Sequence, residues 1–163
     1  METKLFSELE RGSQEYEHAI NYLIRHIRNP SPQSQFEVRT RGLREPSDEQ
    51  LVEALKSQGY DALIGKLEGE IVGHIAYQEG GSEGEVCWNV FSTFVEPEYR
   101  GRCLSVQLAK RLAEYARKRG VNLIKVGDGD NLVRERLLKK LLENGKINAE
   151  FDLENHLVRL LPS

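Results

Sequence analysis

The chain has 163 residues, 39% apolar and 30% charged, with a formal net charge of −3. That length suits one domain around one core, and the mild acidity argues against a nucleic-acid binder, which needs a basic face. No run approaches the roughly 18 apolar residues of a membrane span, and the charged opening is unlike a secretory leader. A cytoplasmic protein without membrane attachment is therefore expected. Cys87 and Cys103 are the only cysteines, and their separation matches neither a disulfide framework nor a metal site.

From Ser13 to Arg28, apolar residues recur at Tyr16, Ile20, Leu23 and Ile27, which is helical spacing. Asn29-Pro30-Ser31-Pro32 ends that helix, because proline has no amide hydrogen to donate. His18 and His26, eight residues apart on it, have no nearby carboxylate or thiol set and suggest no metal site. Phe36–Thr40 alternates like a short strand. A second helix begins at Ser47, whose spacing to Gln50 is that of a capping box, and stops at Gly59. Tyr60–Leu67 and Glu70–Gln78 are β-rich runs joined by a tight turn at Glu68-Gly69. Gly73 inside the second run predicts a bulge or a close backbone approach. A glycine-rich stretch, Gly80–Gly84, leads to a third run over Glu85–Val95, completing an antiparallel meander.

Leu104, Leu108, Leu112 and Tyr115 then line a helix reaching Gly120, with Arg117, Lys118 and Arg119 at its negative end. Val121–Val126 predicts an interior strand. A further helix runs from Asp128 to Gly145, with Val133, Leu137 and Leu141 on one face, and Ile147–Leu153 with His156–Leu161 predicts a closing hairpin. The pattern is mixed α+β.

The chemistry is concentrated at Val95-Glu96-Pro97-Glu98-Tyr99-Arg100-Gly101-Arg102-Cys103-Leu104-Ser105. A helix start exposes unpaired backbone N–H groups and partial positive charge, which together favour an anion. Gly101 allows close approach of the backbone, while Arg100 and Arg102 add charge able to pair with phosphate oxygens.

This stretch, with the turn at Glu68-Gly69 and the strand at Val121–Val126, resembles the acyl-CoA motif region of the GNAT acyltransferases. The resemblance covers about Ser47–Leu161, with residues 1–30 as a helical addition to a single GNAT-like domain. It implies a mostly antiparallel sheet of six to seven strands flanked by about four helices. It also implies acetyl-CoA or another acyl-CoA as co-substrate. Phosphate contacts would come from Arg100, Gly101, Arg102, Cys103, Leu104 and Ser105, and pantetheine contacts from backbone groups of Phe94 and Val95. The expected reaction is attack of a primary amine, on a small molecule or a protein or peptide, on the thioester carbonyl. A homodimer is left open.

Candidates for the general base are Glu83 and Glu85, with His74 as a further one. The chain departs from the family pattern in two places. Cys103 stands where the second glycine of the motif is usual, and Leu141 where a thiol-protonating tyrosine is common. These departures leave a second reading, a non-catalytic acyl-CoA-binding or interaction module on the same fold.

Overall fold

The computed structural model describes residues 1–30, 44–82, 84–126, 144, 147–152 and 154–162. A seven-stranded sheet forms its centre, comprising β1 (Glu2–Leu5), β2 (Tyr60–Leu67), β3 (Glu70–Ser82), β4 (Glu85–Val95), β5 (Leu123–Val126), β6 (Ala149–Asp152) and β7 (Leu157–Leu160). The order across the sheet is β1-β2-β3-β4-β5-β7-β6. Among the described strands only β4 and β5 are parallel, in register from Cys87↔Leu123 to Val90↔Val126. The described helices are α1 (Gln14–Arg28), α2 (Asp48–Ser57) and α3 (Leu104–Lys118). This is the mixed, mostly antiparallel architecture expected. The predicted strand at Phe36–Thr40 and helix at Asp128–Gly145 lie outside the described residues, as do Glu83 and Leu141.

The sheet has an α3 face and an α1 face, and the two-residue period of its strands sorts side chains between them. Leu63, Ile75, Tyr77, Trp88 and Val90 pack with Leu108, Leu112 and Ala116 of α3. Ala62, Ile64 and Ala76 turn the other way, onto Tyr16, Ala19, Tyr22 and Leu23 of α1 and Leu55 of α2. Apolar burial on both faces therefore holds the sheet rigid beneath whatever binds at its ends.

Local chemistry sets the ends of the elements. Ser13 caps α1 by accepting from the Tyr16 amide at 3.1 Å. The capping box at Ser47 and Gln50 is complete in both directions. Glu68 and Gly69 both have positive φ, 51° and 85°, as the tight β2–β3 turn demands.

Three features differ from the sequence expectation. Glu2–Leu5 forms an edge strand paired with Leu63–Lys66, although its four residues carry too little alternation to be recognised alone. β3 continues through Gly80 and Gly81, because the pairing Gly80↔Cys87 and Gly81↔Val86 keeps those glycines in the ladder. A Cβ at Gly81 would lie 2.1 Å from the Glu85 carbonyl oxygen, so the strands meet too closely for any larger residue. The third difference is a bulge in β4. Ala76 faces Ser92 while the adjacent Tyr77 faces Val90, leaving Phe91 as the surplus residue.

Candidate functional site

The bulge at Phe91 changes which way the end of β4 points. In an unbroken strand Ser92 and Phe94 would share the face of Trp88 and Val90. One surplus residue reverses that parity. Ser92 and Phe94 turn to the α1 face, where Ser92 meets His74 and Phe94 meets His26. Val95 packs instead against the α3-face core.

The same position marks a fork in the sheet. The β5 ladder ends at Val90↔Val126, and among the described residues no strand pairs with that edge of β4 farther on. Phe94 pairs with His74, and its carbonyl lies on the β3 side, 2.5 Å from where a Cβ on Gly73 would sit. The Glu96 amide likewise donates to Val72 O at 2.9 Å. Val95, between them, therefore turns its backbone groups to the open edge. Its carbonyl accepts from Arg100 Nε at 2.9 Å. Of the two strand positions named for pantetheine, Val95 thus faces the open edge and Phe94 does not.

Pro97–Tyr99 forms a single 3-10 turn, and α3 begins at Leu104. The start of α3 is open. Cys103 at its N-cap makes no side-chain capping bond, no side chain among the described residues caps it, and its first turn holds no acidic residue. The start of α2, by contrast, is closed by its capping box and carries Asp48 and Glu49. Unpaired amides and the helix dipole make an open start attractive to an anion. Gly101 has φ 80°, with open space where a Cβ would be. Cys103 also adopts the left-handed region, φ 56° and ψ 24°, a backbone that favours glycine. Its thiol is exposed, so the loop keeps a glycine-like path despite the β-carbon.

Arg100 stacks over the Phe94 ring, 5.5 Å from its centroid, and Arg102 over Tyr99 at 5.5 Å. Each guanidinium group is thereby held against a neighbouring ring. Leu104 is buried and anchors the helix to the core, while Ser105 is half-buried beside the free amides. The structure thus brings Phe94, Val95 and Arg100–Ser105 together at one end of β4. The residues present fit a phosphate-bearing ligand.

Glu85 lies at the other end of β4, six residues from Phe91, which is about 20 Å along a strand. It is exposed and forms an ion pair with Arg159 at 2.8 Å. The structure does not bring it to the fork.

Sequence reasoning missed the polar cluster on the α1 face beside the fork. His74 is fully buried, with Nδ1 3.0 Å from the Tyr22 hydroxyl and Nε2 3.0 Å from Ser92 Oγ. Burial pushes its pKa down to about 3, with a smaller contribution from His26. Burial also raises that of Tyr22 and, together with Arg25, lowers that of His26. His26 Nε2 lies 3.6 Å from Glu96 Oε1, and Arg25 makes a close ion pair with the same carboxylate. A cavity of about 380 Å³ opens next to this cluster, lined in part by His18, Tyr22, Arg25, Glu70 and Glu96. His74 itself was a sequence candidate. Its partners on α1 are 52 and 48 residues away in the chain, and no local pattern connects them. Among the described residues no group of three or more His, Cys, Asp or Glu side chains is arranged to hold a metal.

The fold is that of several solved acetyltransferases. A probable acetyltransferase superposes with a TM-score of 0.62 at 14% identity, over 86% of this chain and 88% of that one. An aminoglycoside acetyltransferase from an uncultured soil metagenomic sample, in complex with sisomicin, gives 0.60 at 12% identity, with 93% and 90% covered. A ribosomal-protein-alanine N-acetyltransferase from Brucella melitensis biovar Abortus 2308 gives 0.55 at 18%, with 88% and 91% covered. At these identities the likeness is one of fold. No curated protein matches the chain in sequence. The family model described as acetyltransferase (GNAT) matches residues 21–142, a span that includes the β4 fork and the open start of α3. The chain therefore belongs to the GNAT acetyltransferase family.

Proposed function

We propose that the protein moves an acetyl or another short acyl group from coenzyme A to a primary amine by direct attack on the thioester. The observation that carries this reading is the juxtaposition at the end of β4. An unpaired strand edge leads to a helix start that Cys103 leaves uncapped and that is acid-free and preceded in the chain by Arg100 and Arg102. Backbone amides of Gly101–Ser105 and the two guanidinium groups would hold the pyrophosphate. The edge of β4 at Val95 would pair with pantetheine, after Arg100 yields the carbonyl it occupies. Holding thioester and amine in attacking geometry supplies much of the acceleration in such a transfer. A backbone amide at the fork would stabilise the developing oxyanion.

The acceptor is an amine on a small molecule or on a protein or peptide. The likeness of fold to an aminoglycoside acetyltransferase and to a ribosomal-protein-alanine acetyltransferase supports testing both kinds. Acetyl-CoA at a hundred times its Kd should stabilise the fold by about 2.7 kcal/mol. Free thiol should then be released with at least one member of a panel of amines, peptides and aminoglycosides. No thermal shift at millimolar acetyl-CoA would refute the anion cradle.

A binding module without turnover is the second reading, favoured by the distance of Glu85 from the fork. Saturable coenzyme A binding with no thiol release across the panel would select it.

A further inference from the structure

Acyl transfer to an amine leaves one proton to be removed from the attacking nitrogen, and Glu85 does not reach the fork. The α1 face carries another route. Ser92, the first residue past the bulge, places Oγ 3.0 Å from His74 Nε2. His74 Nδ1 is 3.0 Å from the Tyr22 hydroxyl. Tyr22 in turn lines the cavity of about 380 Å³ together with Glu70 and Glu96. Three buried polar side chains are thus linked in a row, from a residue of β4 beside the fork to a residue that lines the cavity. A buried polar row is costly compared with an apolar set of the same shape unless its members are paired, as these are.

We propose that Ser92, His74 and Tyr22 form a relay that carries the proton released by the attacking amine from the fork to the cavity. The proposal rests on the acyl-transfer reading. As nitrogen attacks the carbonyl carbon, the C–N bond forms and the C–S bond breaks. Sulfur leaves with its electron pair as the thiolate, which water protonates. The nitrogen's proton passes to Ser92 Oγ, directly or through one water, while the Ser92 proton moves to His74 Nε2. The proton on Nδ1 moves to the Tyr22 oxygen, and the phenolic proton goes to water in the cavity. The imidazole ends in its other tautomer and, being buried, is reset through the Ser92 and Tyr22 hydroxyls between turnovers. Neutral imidazole, with one donor and one acceptor nitrogen, suits such a transfer.

Tyr22 and His26 of α1 face His74 with ring centroids at 5.5 and 5.0 Å, and Phe94 of β4 lies at 6.0 Å. Glu96 and Arg25 stand behind His26. Ile64 is the cross-strand partner of His74 on β2. A ring held neutral in these surroundings passes a proton without storing one. The three side chains position and relay, and none of them bonds to the acyl group.

The test follows thiol release from acetyl-CoA by the full chain, with the amine panel, in mixtures of light and heavy water. The wild-type rate should bow downward with deuterium fraction, as expected when several protons move together. Tyr22→Phe removes one oxygen, and His74→Gln keeps a donor and an acceptor but cannot change tautomer. Each should lower kcat by roughly 10²-fold or more, leave KM for acetyl-CoA unchanged and shift the pH profile. If His74→Gln does not fold, Tyr22→Phe still decides the matter. Wild-type kcat, pH profile and isotope dependence in Tyr22→Phe overturn the relay alone. Absence of thiol release by the wild-type protein overturns the acyl-transfer reading and the relay with it.

Discussion

Cys103 shows how one residue can keep a motif's geometry while breaking its spelling. Its φ of 56° is a glycine conformation occupied by a side chain, and an L-residue there carries about 1–2 kcal/mol of strain. Cys103→Gly should therefore stabilise the protein by about 0.5–1 kcal/mol in urea unfolding, after the added chain entropy of glycine is subtracted. It should not weaken coenzyme A binding. Gly73 is the opposite case. A Cβ there would lie 2.5 Å from the Phe94 carbonyl oxygen and 3.4 Å from a Leu108 methyl. The first contact is with backbone, so Gly73→Ala should cost about 2 kcal/mol or more in the same assay. The need for glycine at 73 was legible, because an isolated glycine within a β-rich run marks a place where another backbone comes close. The left-handed backbone at Cys103 was not, because cysteine gives no local sign of positive φ.

Helix starts are where the elements differ most in purpose. α2 closes its own amides with the box at Ser47 and Gln50, as its sequence predicts. α3 leaves its amides open and has arginines ahead of it. Arg100 ties the loop to β4 through the Val95 carbonyl and the Phe94 ring. Arg100→Ala should weaken coenzyme A binding about tenfold, or ~1.4 kcal/mol. Arg100→Lys should recover only part of that loss, because an ammonium lacks the planar fork. Titration calorimetry would measure both. Most helix and strand bounds were readable because period and caps are local properties. β1 was not, since a strand of four residues is defined by its partner rather than by its own alternation. The bulge in β4 was also missed, because only pairing with β3 reveals that Phe91 has no opposite number.

At the scale of the molecule, buried His74 links stability to pH. Its folded pKa of about 3 lies below the ordinary histidine value near 6.5. The unfolded chain therefore takes up a proton that the folded protein refuses. Stability is fully present above pH 6.5 and is lost as pH falls toward 3. From this residue alone the loss between pH 7 and pH 5 should be about 2 kcal/mol. His26, whose pKa burial also lowers, acts in the same direction. Denaturant unfolding at the two pH values should show the loss, and His74→Gln should flatten it. Nothing along the chain announces this coupling, because Tyr22, His26 and His74 become neighbours only when α1 lies across the sheet. The GNAT architecture itself was legible, since its signature residues sit in one continuous stretch.

The surplus residue at Phe91 acts like a frameshift written in three dimensions. Every side chain downstream on β4 is read out on the side opposite to the one its position would dictate. Removing Phe91 would restore the frame and exchange the occupants of the two layers. Ser92 and Phe94 would enter the compartment of α3, and Thr93 and Val95 would be delivered to the histidines. A chain shorter by that one residue could keep its strand count and helices, yet the end of β4 would present a different set of atoms to any ligand. Which atoms the end of β4 presents in this protein is thus a matter of counting.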